Sequence, residues 1–256
     1  MRALAIRPCS KTGKTPWPCN SKHAFAARQP GTHRAAVRTA NDFSPPPITD
    51  AAMHNTLHTG LARYLSPEQI EALHAARVGI AGAGGLGSNA ALMLARSGIV
   101  NLLVVDDDVV DASNLNRQQY WPRHVGRPKV EALAELLLEL NPAMQVETRR
   151  MRMDQHNIAT VLPACPIWVE AFDGPDDKTL LVETALLGGY RIASASGMGG
   201  WGGKAMGKRY LGNLVLVGDF STDVMLAPPL APRVTEAAAL LADAVLEMVL
   251  GAHDMG

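Results

Sequence analysis

Between positions 78 and 130 the chain gathers residue types that can hold and polarise a polyphosphate. An apolar run, Val78-Gly79-Ile80-Ala81, opens into Gly82-Ala83-Gly84-Gly85-Leu86-Gly87, and small apolar residues follow at helical spacing (Ala90, Leu94, Ala95). Strand, glycine turn and helix in that order start a nucleotide-binding βαβ unit. Gly82, Gly84, Gly85 and Gly87 would let phosphates approach bare backbone. The helix N-terminus adds unpaired N–H groups and the positive end of its dipole. A tight turn can also use glycine for packing alone, so the neighbours decide. A second apolar run, Leu102 to Val105, ends in Asp106-Asp107-Asp108, and Asp106 stands where an acid can bond ribose hydroxyls. Then come Asn114-Leu115-Asn116-Arg117-Gln118 and Gly126-Arg127-Pro128-Lys129. Arg117 and Lys129 are two cations able to converge on one phosphate, with Asn114 and Gln118 as supporting polar contacts. An NAD-dependent oxidoreductase on a Rossmann fold rarely needs such a pair there, but it stays an alternative, as does a nucleotide-binding scaffold without turnover.

The elements around this unit predict an α/β fold: a Rossmann-like, doubly wound, mainly parallel sheet with an antiparallel extension. Leu57 to Arg77 reads as a helical stretch in which Ser66-Pro67-Glu68-Gln69 supplies an N-cap, a proline at the first position and an acid in the first turn. Lys129 to Leu140 is an amphipathic helix stopped by Asn141-Pro142, Met144 to Met151 a strand, and Gln155 to Leu162 a helix. The apolar strand Ile167 to Phe172 delivers Asp173-Gly174 at its C-terminal end, the edge where open α/β sheets bind ligands. A helix over Thr179 to Leu187 and a strand over Arg191 to Ser194 follow. Ser196 to Gly207 then holds six glycines in twelve residues, too many to pack a core. A strand over Asn213 to Gly218 and an Ala/Leu-rich helix over Val234 to Leu250 complete the chain.

Composition bounds the partners. With 47% hydrophobic and 19% charged residues, the 256-residue chain can bury one sizeable core. No apolar run approaches the roughly 20 residues of a membrane span, so no membrane partner is expected. The formal net charge of zero hides an asymmetry: residues 1 to 41 hold eight Lys or Arg and no acid. Residues 1–53 read as a disordered basic leader, with a transit peptide as another reading of its composition, and residues 54–256 as the ATP-binding domain. The net-acidic body makes nucleic acid an unlikely partner. Three scattered cysteines, Cys9, Cys19 and Cys165, fit a reducing, cytoplasmic setting better than a disulfide framework.

The motifs GAGGLGS, the strand-end DDD, SNLNRQQY and GRPKVEAL, in this order, resemble the ThiF/MoeB/HesA (ubiquitin-activating-like) superfamily from about Arg63 to about Leu250. The resemblance implies a ThiF/MoeB-type fold and adenylation of the C-terminal glycine of a ubiquitin-like protein. It implies ATP and Mg²⁺ as cofactors, with Asp173 holding the Mg²⁺, Lys178 near the nucleotide, Asp106 on ribose, and Arg117 and Lys129 on the α-phosphate. A homodimer is implied too. Many relatives use an arginine from the partner subunit, but Ser66 stands in its place and leaves Arg63 as the only nearby candidate. Paired CxxC motifs are absent, so no zinc is expected. The glycine loop would thread the carrier's tail towards ATP. Gly218-Asp219-Phe220 and Ala231-Pro232-Arg233-Val234 resemble the short zinc-less ThiF group, whose partner is the sulfur carrier ThiS of thiamine biosynthesis. A relative that dehydrates threonylcarbamoyladenosine in tRNA is the alternative.

Overall fold

The computed structural model describes residues 56–223 and 226–252. The expected leader, residues 1–53, lies outside them. The described residues form fourteen α and β elements in chain order. They are α1 (Thr56–Leu61), α2 (Pro67–Ala75), β1 (Arg77–Ala81), α3 (Gly85–Arg96), β2 (Asn101–Val105), α4 (Lys129–Leu140) and β3 (Gln145–Arg149), then α5 (Ile158–Val161), β4 (Ile167–Glu170), α6 (Pro175–Leu187), β5 (Arg191–Ala195), β6 (Gly207–Leu211), β7 (Leu214–Gly218) and α7 (Ala231–Leu250).

The sheet runs β3-β2-β1-β4-β5-β7-β6, with every neighbouring pair parallel except β6–β7. This is the expected doubly wound sheet with its antiparallel extension. Alternation along each strand splits the core into two layers. Val78 and Ile80 of β1 and Leu102 and Val104 of β2 face α3, α4 and α7, where they pack with Leu94, Leu133, Leu137, Leu241 and Val245. Leu103 and Val105 face the other way, onto Ile158, Leu181 and Trp168. Trp168 lies opposite Gly79 in the β1–β4 ladder, and a β-carbon on Gly79 would meet its ring at 2.4 Å. Its indole N–H donates to the carbonyls of Leu162 and Cys165 at 3.1 and 3.0 Å, so the largest core side chain is buried without an orphaned donor.

Local chemistry moves several boundaries. The single stretch expected over Leu57 to Arg77 is two helices. Ser66 takes an extended backbone and caps α2, its hydroxyl accepting from Gln69 N at 3.3 Å while Gln69 Oε1 accepts from Ser66 N at 2.9 Å. Helix α5 is shorter than expected, because Asn157 and Asp154 fold the preceding residues into turns and Pro163 forces a 3₁₀ turn after it. Strand β6 was missed: its sequence, Gly-Lys-Arg-Tyr-Leu, is largely exposed and carries no apolar alternation.

Two histidines are expected to make the fold sensitive to acid. Burial, reinforced by His58 with ring centroids 5.4 Å apart, holds His74 below its ordinary pKa. Burial, then the Arg123 charge, does the same to His124, whose Nδ1 accepts from Trp121 N at 3.1 Å. Both are depressed in the folded state, so the unfolded chain binds protons first as pH falls. Stability is therefore expected to be full above the unfolded value of about 6.5 and to decline as pH drops below it. Melting curves at steps from pH 7.5 to 5 check this, and His124→Gln should flatten part of the decline.

Candidate active site

The C-terminal ends of β1, β2 and β4 open into one cleft of about 250 Å³. Its wall includes Gly82, Gly84, Asp106, Lys129 and Asp173, five of the residues singled out from sequence. Asp107, Asp108, Arg152, Met153, Phe172 and Asp177 complete most of the rest.

Gly82 and Gly84 present backbone to the cleft as expected. Gly85 and Gly87 are not among the lining residues, and packing alone already requires glycine at both. A β-carbon on Gly87 would stand 1.8 Å from the Gly82 carbonyl oxygen, so the turn closes only with glycine there. At Gly85 the space is taken by Val234 of α7 and by the Arg117 stem.

Asp106, at the end of β2, accepts from Ala83 N at 2.6 Å and from Asp108 N at 2.8 Å. The carboxylate therefore ties the glycine turn to the second strand as well as facing the cleft. Burial pushes its pKa above the ordinary aspartate value, against the Ala83 N–H and the Lys129 charge. Lys129 opens α4 behind Pro128 and is buried, its Nζ 2.6 Å from Asp108 Oδ2. Its backbone N–H also donates to Asp108 O at 2.9 Å, which fixes the two loops against each other. Tyr120 donates its hydroxyl to Ala83 O at 2.7 Å, and burial pushes its phenol pKa up, so it stays a neutral strut.

Arg117, Asn114 and Gln118 stand outside the cleft wall. Arg117 Nη1 donates to Asn116 Oδ1 at 2.8 Å and to Ser113 O at 3.2 Å, and its stem lies beside Gly85 in the first turn of α3. Asn114 closes a short 3₁₀ turn, its Oδ1 accepting from Asp111 N at 3.1 Å. Gln118 is buried next to Gly84, and its Oε1 has no hydrogen-bond partner among the described residues. Asn89, which sequence reading missed, stitches this loop to the turn: its amide donates to Gly85 O at 2.6 Å and Arg117 O at 2.9 Å.

Asp173 stands exposed at the rim, with no ion-pair partner among the described residues. The carboxylates of Asp106, Asp107 and Asp108, whose ligand atoms lie within 4.8 Å of one another, offer hard oxygen donors of the kind Mg²⁺ prefers, and Asp173 lines the same cleft outside that group. Lys178 corrects an expectation. It is not among the residues that line the cleft and pairs with Glu170, a fully buried carboxylate that also accepts from Ser194 Oγ at 2.6 Å and Phe172 N at 2.8 Å. The cleft receives Arg152 and Asp177 instead, joined by bonds of 3.0 and 3.1 Å.

Compared with known proteins, residues 57–209, more than half of the chain, match the ThiF family. The chain belongs to the ThiF family. Adenylyltransferase and sulfurtransferase UBA4 from Yarrowia lipolytica is 37% identical over 126 residues, 49% of this chain and 32% of that protein. The SAMP-activating enzyme E1 from Haloferax volcanii is 41% identical over 118 residues, 46% of this chain and 44% of that enzyme. The chain thus spans less than half the length of the curated relatives it matches. Among solved structures, the E. coli tRNA N6-threonylcarbamoyladenosine dehydratase TcdA in complex with ATP has a TM-score of 0.71 at 21% identity, covering 79% of this chain and 96% of that one. E. coli MccB with ATP has a TM-score of 0.63 at 21% identity, covering 80% and 67%. These two share the fold. No helix of the described residues is long and apolar enough to cross a membrane.

Proposed function

We propose that this ThiF-family chain is an adenylyltransferase that activates the C-terminal glycine of a small ubiquitin-like carrier with ATP. The observation that carries the reading is Lys129: a buried lysine brought to the cleft beside the glycine turn, where a polyphosphate would lie. In this reading the backbone of Gly82 and Gly84 receives the phosphates and Asp106 the ribose. The carrier's carboxylate oxygen attacks the α-phosphorus, the bond to the bridging oxygen of the β-phosphate breaks, and pyrophosphate leaves with an acyl-adenylate remaining. The attacking group is already ionised, so no side-chain base is needed. Lys129 neutralises charge on the α-phosphate, and Arg117 joins it by swinging off Ser113 and Asn116. Fixed charges and positioning supply most of the catalysis in such transfers. Mg²⁺, held by Asp173, would neutralise phosphate charge.

The finer reading is a ThiS-type sulfur carrier of thiamine thiazole biosynthesis, acting with a homodimer of this chain in the cytoplasm. The Gly218-Asp219-Phe220 and Ala231-Pro232-Arg233-Val234 motifs and the glycine loop support it. A tRNA substrate is the second reading, favoured by the near-complete coverage of TcdA. Labelled pyrophosphate exchange into ATP separates them. Exchange that requires a carrier ending in Gly-Gly is the expected result; stimulation by threonylcarbamoylated tRNA and not by the carrier selects the second reading, and reduction of NAD without exchange overturns both.

A further inference from the structure

Two motifs that the site chemistry leaves unused, Gly218-Asp219-Phe220 after β7 and Ala231-Pro232-Arg233-Val234 opening α7, meet inside the protein. Arg233 Nη2 donates to Asp219 Oδ2 at 2.5 Å, with the side chains 7% and 0% exposed. Around that pair the glycine loop of residues 196–206 is fastened at both ends. At its start, Ser196 O accepts from Phe220 N at 3.1 Å and Gly197 O accepts from Asp219 N at 3.0 Å. The fit is close enough that a β-carbon on Gly197 would meet Asp219 Oδ1 at 2.2 Å, and one on Gly218 would meet Ser196 O at 2.0 Å. At the loop's end, Arg233 Nη1 donates to Lys204 O at 2.8 Å.

Asp219 is itself over-determined. Its Oδ1 accepts from Ser221 N at 2.9 Å and Thr222 N at 2.8 Å, and its Oδ2 also receives the Thr222 hydroxyl. The turn holds Phe220 at φ 56°, the single non-glycine residue with positive φ among the described residues, with the Arg209 guanidinium 3.9 Å over its ring. A non-glycine residue persists in that region only where its surroundings impose it. The next residues of α7 reach the nucleotide turn: Val234 packs on Gly85, and Thr235 Oγ1 donates to Asn89 Oδ1 at 3.4 Å. One helix turn therefore touches both the loop and the start of α3 behind the glycine turn.

We propose that Asp219 and Arg233 are positioning residues: a buried latch that sets the glycine loop at a fixed place relative to the glycine turn, so that an extended C-terminal tail lying along the loop brings its carboxylate to the α-phosphate. This rests on the adenylation reading above. Neither residue lines the cleft, so the latch governs the acyl substrate and leaves the nucleotide alone.

The test uses Asp219→Asn and the milder Arg233→Lys, which keeps the charge but cannot reach Asp219 and Lys204 O together. Melting curves establish that each variant folds. Labelled-ATP binding by equilibrium dialysis is expected to stay within about twofold of wild type, while kcat/KM for a Gly-Gly carrier in pyrophosphate exchange falls about 10–100-fold. Tryptic cleavage after Lys204, followed by mass spectrometry, is expected to quicken about tenfold as the loop's far end is released. Wild-type carrier kinetics with unchanged cleavage in folded variants overturns the latch. Equal losses in ATP binding and carrier kinetics reduce the pair to general scaffolding and overturn it too. A wild-type chain that gives no exchange with any carrier overturns the adenylation reading, and the positioning role falls with it.

Discussion

Lys129→Ala is expected to lower carrier-dependent pyrophosphate exchange by about 10²–10³-fold while the protein stays folded, the size seen when one preorganised charge-stabilising group is removed from a transition state. The two halves of that expectation come from the same geometry. Lys129 is 4% exposed, but its partner Asp108 is 64% exposed on its side chain, so the pair is half in water. Such a pair stabilises by no more than about 1 kcal/mol, and its loss leaves Asp108 solvated rather than stranded. The cost therefore falls on the chemistry. Lys129 begins α4, and its backbone N–H is fixed to Asp108 O, so the ammonium is aimed before substrate arrives. Lys129→Arg should recover little, since a planar fork does not reproduce a compact ammonium at a buried position. Exchange kinetics with a parallel melting curve check this; an alanine variant with wild-type exchange would remove Lys129 from the mechanism.

The second large effect concerns stability. Lys178→Ala is expected to destabilise the protein by about 3–5 kcal/mol, because it leaves Glu170 charged and buried with only neutral donors, Ser194 Oγ and Phe172 N. Breaking one side of a buried ion pair costs far more than replacing both sides. The double variant Glu170→Leu with Lys178→Met should regain most of the loss. Urea unfolding midpoints read both, at unchanged m-value if the denatured state is unaffected. A Lys178→Ala midpoint equal to wild type would mean the pair contributes nothing. The Glu170 carboxylate also accepts from the backbone that leads to Asp173, so the single variant should weaken nucleotide binding through β4's end.

Much of the site was legible because its parts are local. The glycine turn, the strand-end Asp106 and Lys129 at a helix start are each announced by a few adjacent residues, and the structure brings all three to one cleft. Asp173 was legible for a related reason: an apolar strand followed by Asp-Gly ends at the ligand edge of a parallel sheet. What sequence does not resolve depends on tertiary neighbours. Gly85 and Gly87 look the same as Gly82 and Gly84 in the motif, and only the approach of Val234 and of the Gly82 carbonyl shows that packing by itself requires glycine at both. Lys178 is placed near the nucleotide by the resemblance alone, and its partner Glu170, inside the apolar strand β4, gives no sequence sign of the ion pair. Arg152 and Asp177, 25 positions apart, meet across the cleft with no motif to mark either. Strand β6 was hidden by its own exposure.

The claim at the centre is that an incoming carboxylate attacks the innermost phosphate of ATP beside Lys129. ATP labelled at the α-phosphate, incubated with the chain and a carrier ending in Gly-Gly, tests it most directly. The expected result is label on the carrier's carboxyl terminus in an acid-stable, hydroxylamine-sensitive linkage, with a γ-label leaving in pyrophosphate. Release of ADP, with the γ-label and not the α-label on the carrier, would contradict it.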